Sequence, residues 1–248
     1  MPINQISTAA LDVHGPKIVF TIPGINWKIT ETVVVGWIII AAFWILCIFL
    51  TRNLKKKPDT KRQIIAEMIV KSVNNMIKQN MGAKYMRYAP YIAMLLGYAA
   101  IGSLVSLLGF RSITADVNTT ITWGLMTFVL ITYEKIRSNG VWGYFKGYAQ
   151  PVAVITPINI ISEVATPVSM AFRLFGNIAG GMVITGIIYM ALAALSSALH
   201  VSFAIGPFSV NVFQVGIPAV LSVYFDLFAG CIQAYIFATL TMVNVAQD

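Results

Sequence analysis

Charge is the scarcest property of this sequence. Only 10% of the residues are charged, against about 25% in a typical soluble domain. From Gly147 to the C-terminus, Arg173 is the only lysine or arginine. The glycine-rich loops that bind nucleotide phosphates are absent, as are the HExxH and GxSxG motifs of hydrolases, so nothing suggests a nucleotide site or a hydrolytic centre. Because 58% of the residues are hydrophobic, the composition predicts an integral membrane protein.

Cysteine and histidine are also sparse, with two of each. Cys47 and Cys231 lie in apolar runs without metal-ligand spacing, so we expect them to be small core residues. His14 and His200 have no ligand partners near them in sequence. We therefore expect no metal site and no cofactor. No linker or internal repeat divides the chain, which predicts a single transmembrane domain over 1–248.

The basic residues follow membrane topology and do not form a nucleic-acid surface. Of 17 lysines and arginines, ten lie between Arg52 and Arg87 and three between Lys135 and Lys146. Positively charged loops stay in the cytoplasm. We therefore expect an outer N-terminal segment over 1–31, a cytoplasmic C-terminus and no nucleic-acid partner. The lack of a transit-peptide pattern and the compact length favour a bacterial cell (inner) membrane.

Apolar stretches define the predicted membrane helices. About 20 apolar residues make a helix of about 30 Å, enough to cross the hydrocarbon core. Residues 62–80 place apolar side chains at helical spacing among basic ones, which is typical of an amphipathic helix in the interface or against a partner. We expect an all-α membrane protein with about five membrane helices. The last two are long, strongly tilted and paired in a hairpin, although a split into more spans stays open. The predicted spans are 32–51, 89–110, 117–133, 152–199 and 208–246.

The two long C-terminal segments each carry a polar stripe. In the first, polar and small residues recur every three or four positions, which places them on one face of a helix. They are Asn159, Glu163, Thr166, Ser169, Arg173, Asn177 and Gly180. In the second, the residues that share a face are Asp226, Gly230, Gln233, Phe237 and Asn244.

Arg173 is the residue whose placement in a membrane costs the most free energy. A charge at membrane depth costs several kcal/mol, and arginine keeps its proton at any ordinary pH. The side chain needs an anion or water, and Glu163 and Asp226 are the candidates within the chain. One interpretation is a buried ion pair that fixes helix packing. The other is the fixed cation of an ion path, which Gly176 and the pair at 180–181 favour because they leave room for a close neighbour.

Two further acidic residues have simpler interpretations. Asp116 precedes the predicted span and is typical of a helix cap, with a role in an outer vestibule as the alternative. Glu134 follows that span, and we expect it to mark a membrane boundary.

The segments PVSMAFRLFGNIAGG (167–181) and DLFAGCIQAYIFATLTMV (226–243) resemble subunit a of the F-type ATP synthases. The resemblance covers nearly the whole chain and is weakest over 1–30. It implies that Arg173 faces the carboxylates of a rotating ring of c subunits, with Ser169 and Asn177 beside it.

The resemblance also implies two half-channels. Glu163 matches an acidic residue of the cytoplasmic half-channel. Gln233 matches a glutamine that contacts the arginine or lines the outer path, and Asp226 stands where relatives carry histidine or glutamate. Met182 is a departure, because some members have a carboxylate there. The candidate ion-path residues around Arg173 are therefore Glu163, Ser169, Asn177, Asp226, Gln233, Asp116 and Asn159.

The expected function is ion translocation, with protons preferred, by a subunit that couples ion flow to rotation and does not itself act on ATP. The implied partners are the c-subunit ring, the peripheral-stalk b subunits and the lipid bilayer. An ion-coupled secondary transporter or a proton-pumping respiratory subunit is the alternative, although transporters often show repeated halves, which this sequence lacks. A third possibility is a non-conducting scaffold whose stripes only join helices.

Overall fold

Helices make up most of the chain, as expected of an all-α membrane protein. The computed structural model describes residues 17–22, 27–52, 60–149, 153–198, 202–205, 208–211, 220–221 and 223–246. The α-helices of these ranges are α1 Glu31–Thr51, α2 Lys61–Asn80, α3 Ala89–Leu104, α4 Val117–Tyr148, α5 Thr156–Ala198 and α6 Gly230–Val245. The 3₁₀ turns are Ala83–Tyr88, Val105–Leu108, Ile113–Ala115 and Ala153–Ile155, and a π-helix covers Val223–Ala229.

Two short antiparallel hairpins accompany the helices. In the first, β1 (Ile18–Ile22) pairs with β2 (Trp27–Thr30), directly before α1. In the second, β3 (Ser202–Ile205) pairs with β4 (Phe208–Asn211), between α5 and α6. The predictions for His14 and His200 fall on residues outside the described ranges.

Four helical segments of the described ranges are long and apolar enough to cross a membrane. They are Glu31–Thr51, Ala83–Leu108, Thr156–Ser196 and Val223–Val245. The predicted span over 117–133 lies within α4, which is not among the four and extends to Tyr148 with a break at Gly140. With 43 residues, α5 is about 65 Å long, twice the thickness of the hydrocarbon core.

The last predicted helix, over 208–246, is shorter in the structure. Phe208–Asn211 forms β4, and the continuous helical segment runs from Val223 to Val245. The sequence Phe-Ser-Val-Asn alternates apolar and polar residues, and this period of two favours a strand over a helix. An estimate of helix length from hydrophobicity alone does not detect this change from a helical spacing to a period of two.

The core lies where α1, α3, α4, α5 and α6 meet. Glycines allow the close approach: a Cβ added to Gly124 of α4 would lie 2.9 Å from the carbonyl oxygen of Pro167 in α5. A Cβ added to Gly230 of α6 would lie 2.9 Å from Ser103 of α3. The buried apolar residues are Val35, Ile39, Leu95, Ala99, Ile113, Trp123, Met170, Leu174, Ala234 and Phe237.

The buried residues of α1 lie in its first half. They are Thr32, Val35, Gly36 and Ile39, one helical face over two turns. Cys47 lies in the second half and is exposed, so the expectation of a core cysteine was wrong there. Most large apolar side chains of this second half, such as Trp44, Ile45 and Ile48, are exposed and suited to contact lipid.

A buried ion pair joins α4 to the turn before α3. Glu134 is only 3% exposed, and it accepts hydrogen bonds from the guanidinium of Arg87 and the hydroxyl of Tyr88. Apolar residues of α2, including Val73 and Ile77, belong to the same buried cluster as Tyr88. Glu134 therefore does more than mark a boundary, because it ties α4 to the turn before α3, and Tyr88 of that turn packs with α2.

Replacing Glu134 by alanine is expected to destabilise the chain by about 1–3 kcal/mol, because Arg87 and Tyr88 lose their buried acceptor. The control is Glu67→Ala, which removes an exposed carboxylate whose partner Gln63 is on the same helix, and which should cost about 0.5 kcal/mol or less. The measurement is thermal unfolding of the purified protein in detergent. Equal unfolding midpoints for the two variants would contradict this role of Glu134.

Candidate functional site

Arg173 lies on the outward side of α5. Met170 and Leu174, its neighbours on the inward side, are 3% and 0% exposed, whereas Ser169 and Arg173 are exposed. Among the described residues no carboxylate lies within ion-pair distance of the guanidinium. The candidate internal ion pairs with Glu163 and Asp226 are therefore not formed. The charge faces the space beyond this chain.

The glycines near Arg173 divide into two groups. A Cβ added to Gly176 or Gly180 would meet no atom within 4 Å, so both positions border open space. A Cβ added to Gly181 would lie 3.2 Å from Phe225, so this glycine serves packing against the π-helix. The sequence expectation of an open face therefore applies to the first two glycines and does not apply to the third.

Glu163 is held by three donors from α4. The Lys135 ammonium lies 3.2 Å from its Oε1, and the Tyr144 hydroxyl donates to the same oxygen at 3.4 Å. The Tyr148 hydroxyl donates to Oε2. Nearby, the Asn159 side chain donates to the backbone carbonyl of Tyr148 at 2.9 Å. The carboxylate, on a side chain that is 8% exposed, is thus surrounded by hydrogen-bond donors.

A break in α4 separates the lysine from the two tyrosines. Gly140 has φ 71° and ψ 165°, a conformation that only glycine adopts readily. Tyr144 and Tyr148 follow it, four residues apart on one helical face. They lie beyond the predicted span, where burial, followed by the charge of Glu163, raises the pKa of Tyr144. The hydroxyl of Tyr144 therefore keeps its proton and acts as a donor.

Two cavities that share lining residues lie beside Glu163 and Arg173. The first, of about 360 Å³, is lined by residues that include Lys135, Tyr148 and Glu163. The second, of about 350 Å³, is lined by Ser169 and Arg173 among others. Both volumes exceed what one water molecule needs. The residues that line both cavities are Ser162, Thr166 and Asn244.

A second group of polar side chains lies on the other side of Arg173. Asp226 is partly buried beside Ser106, at the end of the α3 segment. Gln233 is 8% exposed, and neither its Nε2 nor the Nδ2 of Asn177 has a hydrogen-bond partner among the described residues. Buried donors of this kind are usually satisfied by water or by a partner.

Asp116 lies apart from these groups. One of its carboxylate oxygens caps α4 by accepting from the Asn118 backbone at 3.0 Å, and the other accepts from the Thr32 hydroxyl at 2.7 Å. The structure therefore agrees with the helix-cap interpretation. Asp116 ties α4 to α1, and both of its oxygens are engaged by the chain itself.

Comparison with known proteins places the chain in a family. A family model described as ATP synthase A chain matches residues 33–246. The chain belongs to this family. A protein of Propionigenium modestum named "ATP synthase subunit a, sodium ion specific" is 30% identical to it, over 94% of this chain and 84% of the relative. ATP synthase subunit a of Staphylococcus carnosus is 31% identical, over 95% and 93%, and that of Sulfurihydrogenibium is 33% identical, over 77% and 85%.

Membership of the ATP synthase A chain family establishes the general role of this chain. The chain is a bacterial membrane protein with an ion-translocating role in the membrane sector of an F-type ATP synthase. It follows that its partners belong to that sector, such as the c ring and the b subunits.

Sequence reasoning missed the donors around Glu163. Lys135 was counted only among the basic residues of a loop, and Tyr144 and Tyr148 were not singled out. Their spacing of four residues was the available signal, because it places both on one face of a helix. Which residue they contact depends on the break at Gly140, whose direction the sequence does not specify.

Replacing Gly140 by alanine is expected to cost about 1–3 kcal/mol or to shift Tyr144 and Tyr148 away from Glu163. Either change should lower ATP-driven ion transport by membrane vesicles that contain the complete enzyme. The control is Gly82→Ala, because this glycine is also in the left-handed region and borders open space, but it lies in the segment before α3 and does not line the Glu163 cavity. If both variants transport at the unchanged rate, the break is not needed for the site.

Proposed function

We propose that this chain passes ions through two offset half-channels that meet near Arg173, and couples their flow to the rotation of a c-subunit ring. The observation that carries the proposal is the outward position of Arg173, without a carboxylate partner among the described residues. A permanent charge at membrane depth requires an anion or water. The carboxylates of a ring that passes this face would supply that anion.

The two cavities support an inner half-channel. Glu163 is ten residues before Arg173, which is about 15 Å along α5, and the shared residues Ser162, Thr166 and Asn244 lie on the way. Asn159 lines the far end of the first cavity. Because basic residues cluster after α1 and in the C-terminal part of α4, between Lys135 and Lys146, we place this end at the cytoplasmic side, with the N-terminus outside and the C-terminus in the cytoplasm.

Asp226, Gln233 and Asn177 support an outer half-channel. The buried donors of Gln233 and Asn177 need water, and Asp226 supplies the acidic group. Met182 is exposed at the position where some members carry a carboxylate. We therefore assign Asp226 as the acidic group of the outer half-channel. Asp116 is left out of this path, because its oxygens are engaged as a cap and by Thr32.

The physical mechanism follows from the cost of charge in lipid. A ring carboxylate facing lipid is stable only when it is neutral. Next to Arg173 its ionised form is favoured, so it releases its ion into one half-channel and receives another from the other. A fixed cation between the two paths blocks a direct leak. Each charge that crosses is worth about 2.3 kcal/mol per 100 mV, and this energy drives the ring.

We propose the proton as the transported ion. The groups that line the inner path are a carboxylate, hydroxyls and amides, which can pass a proton along hydrogen bonds. The donors of Lys135, Tyr144 and Tyr148 occupy the oxygens of Glu163 that a sodium ion would need as ligands. ATP hydrolysis by the complete enzyme should therefore proceed without added Na⁺, and strict dependence on Na⁺ would overturn this choice.

Replacing Arg173 by lysine is expected to reduce ATP-driven ion transport by at least about tenfold. Lysine keeps a charge but loses the planar, always protonated guanidinium. The control is Arg137→Lys, at an exposed arginine outside the proposed path. Transport is measured in inverted membrane vesicles and normalised to the amount of assembled enzyme. An unchanged rate in Arg173→Lys would contradict the proposal and favour a non-conducting scaffold.

Replacing Gly176 by leucine is expected to leave the fold intact and to abolish transport. The added side chain has open space within this chain, but it would project into the surface that we assign to the ring. Ala41→Leu is the matched control, because it adds the same bulk to an exposed position of α1. Equal transport by the two variants would show that no moving neighbour passes Gly176.

A further inference from the structure

The Glu163 carboxylate is fixed more firmly than a wide polar cavity would require. Its donors lie on both sides of the break in α4, with Lys135 before Gly140 and two tyrosines after it. Lys135 is 30% exposed and Glu163 is 8% exposed, so the lysine is on the more open side of the pair. The ammonium and the hydroxyls belong to one helix and together engage both oxygens of the carboxylate.

Orientation is decisive for a group that passes an ion to a neighbour. A glutamate side chain has several rotamers, and a displacement of about 1 Å can reduce a transfer rate by a large factor. Hydrogen bonds to an ionised group are roughly twice as strong as those between neutral groups, so they can hold one rotamer. Without Lys135, only the neutral tyrosine hydroxyls of the described contacts would remain.

We propose that Lys135 is a positioning residue of the inner path. Its ammonium, together with the hydroxyls of Tyr144 and Tyr148, holds the Glu163 carboxylate in the cavity that leads to Arg173. The lysine itself does not carry the ion. This inference rests on the proposed function, because it requires Glu163 to be part of the ion path.

The test is ATP-driven proton uptake by inverted vesicles that contain the complete enzyme, normalised to assembled complex. Lys135→Met removes the charge with little loss of volume and should reduce uptake by about tenfold, the typical effect of losing a charged hydrogen bond. Lys135→Arg should restore most of the rate, because it can donate to the same carboxylate. Lys146→Met, at an exposed lysine of the same segment, should leave uptake unchanged.

A double variant separates positioning from general damage. Glu163→Gln should reduce uptake by itself, and Lys135→Met should cause no further loss in that background, because Lys135 acts only through Glu163. Losses that multiply in the double variant would overturn the proposal. So would an unchanged rate in Lys135→Met, or a failure of Lys135→Arg to restore uptake.

The Glu163→Gln variant distinguishes failure of the proposed inner path from failure of the positioning role of Lys135. If it transports at the unchanged rate, the proposed inner path fails and the role of Lys135 fails with it. If it is impaired while Lys135→Met is not, only the positioning role fails. Should Lys135→Met not assemble, Tyr148→Phe removes one donor hydroxyl and should lower uptake, whereas Tyr133→Phe, at an exposed tyrosine, should not. Equal rates for these two tyrosine variants would overturn the proposal.

Discussion

A guanidinium that cannot lose its charge, placed on a membrane helix, is the constraint on which the rest of this structure depends. Arg173 has no carboxylate partner among the described residues, and the core beside it is closed by Met170 and Leu174. The charge therefore faces outward. A cavity on one side of it and the open positions of Gly176 and Gly180 on the other leave room for the water or the anion that such a charge needs.

The acidic groups on either side of Arg173 have different surroundings. Glu163 lies in a cavity among donors of α4, whereas Asp226 is partly buried beside a single serine, Ser106. This asymmetry fits two paths of unlike character that approach one cation from different directions. Two other acidic groups serve the fold: Asp116 caps α4, and Glu134 ties α4 to the turn before α3.

Much of the fold could be predicted because the spacing of apolar residues and the length of apolar segments are local properties of the sequence. The helix expected over 152–199 corresponds to α5, Thr156–Ala198, and the one expected over 62–80 corresponds to α2, Lys61–Asn80. The polar stripe was also visible, since a period of three to four residues needs no tertiary information. The residues that contact this stripe could not be predicted from the sequence. Lys135 meets Glu163 only because α4 packs against α5, and the strand β4 replaces helix where the period changes to two.

The structure of the complete membrane sector, determined by electron cryo-microscopy, tests the central claim most directly. The account predicts that the face bearing Ser169, Arg173 and Gly176 lies against the ring, with the guanidinium of Arg173 reaching a ring carboxylate directly or through water. It also predicts that the cavities at Glu163 and at Asp226 open to opposite sides of the membrane. A face covered by lipid or by a static subunit, or two cavities open to the same side, would contradict it.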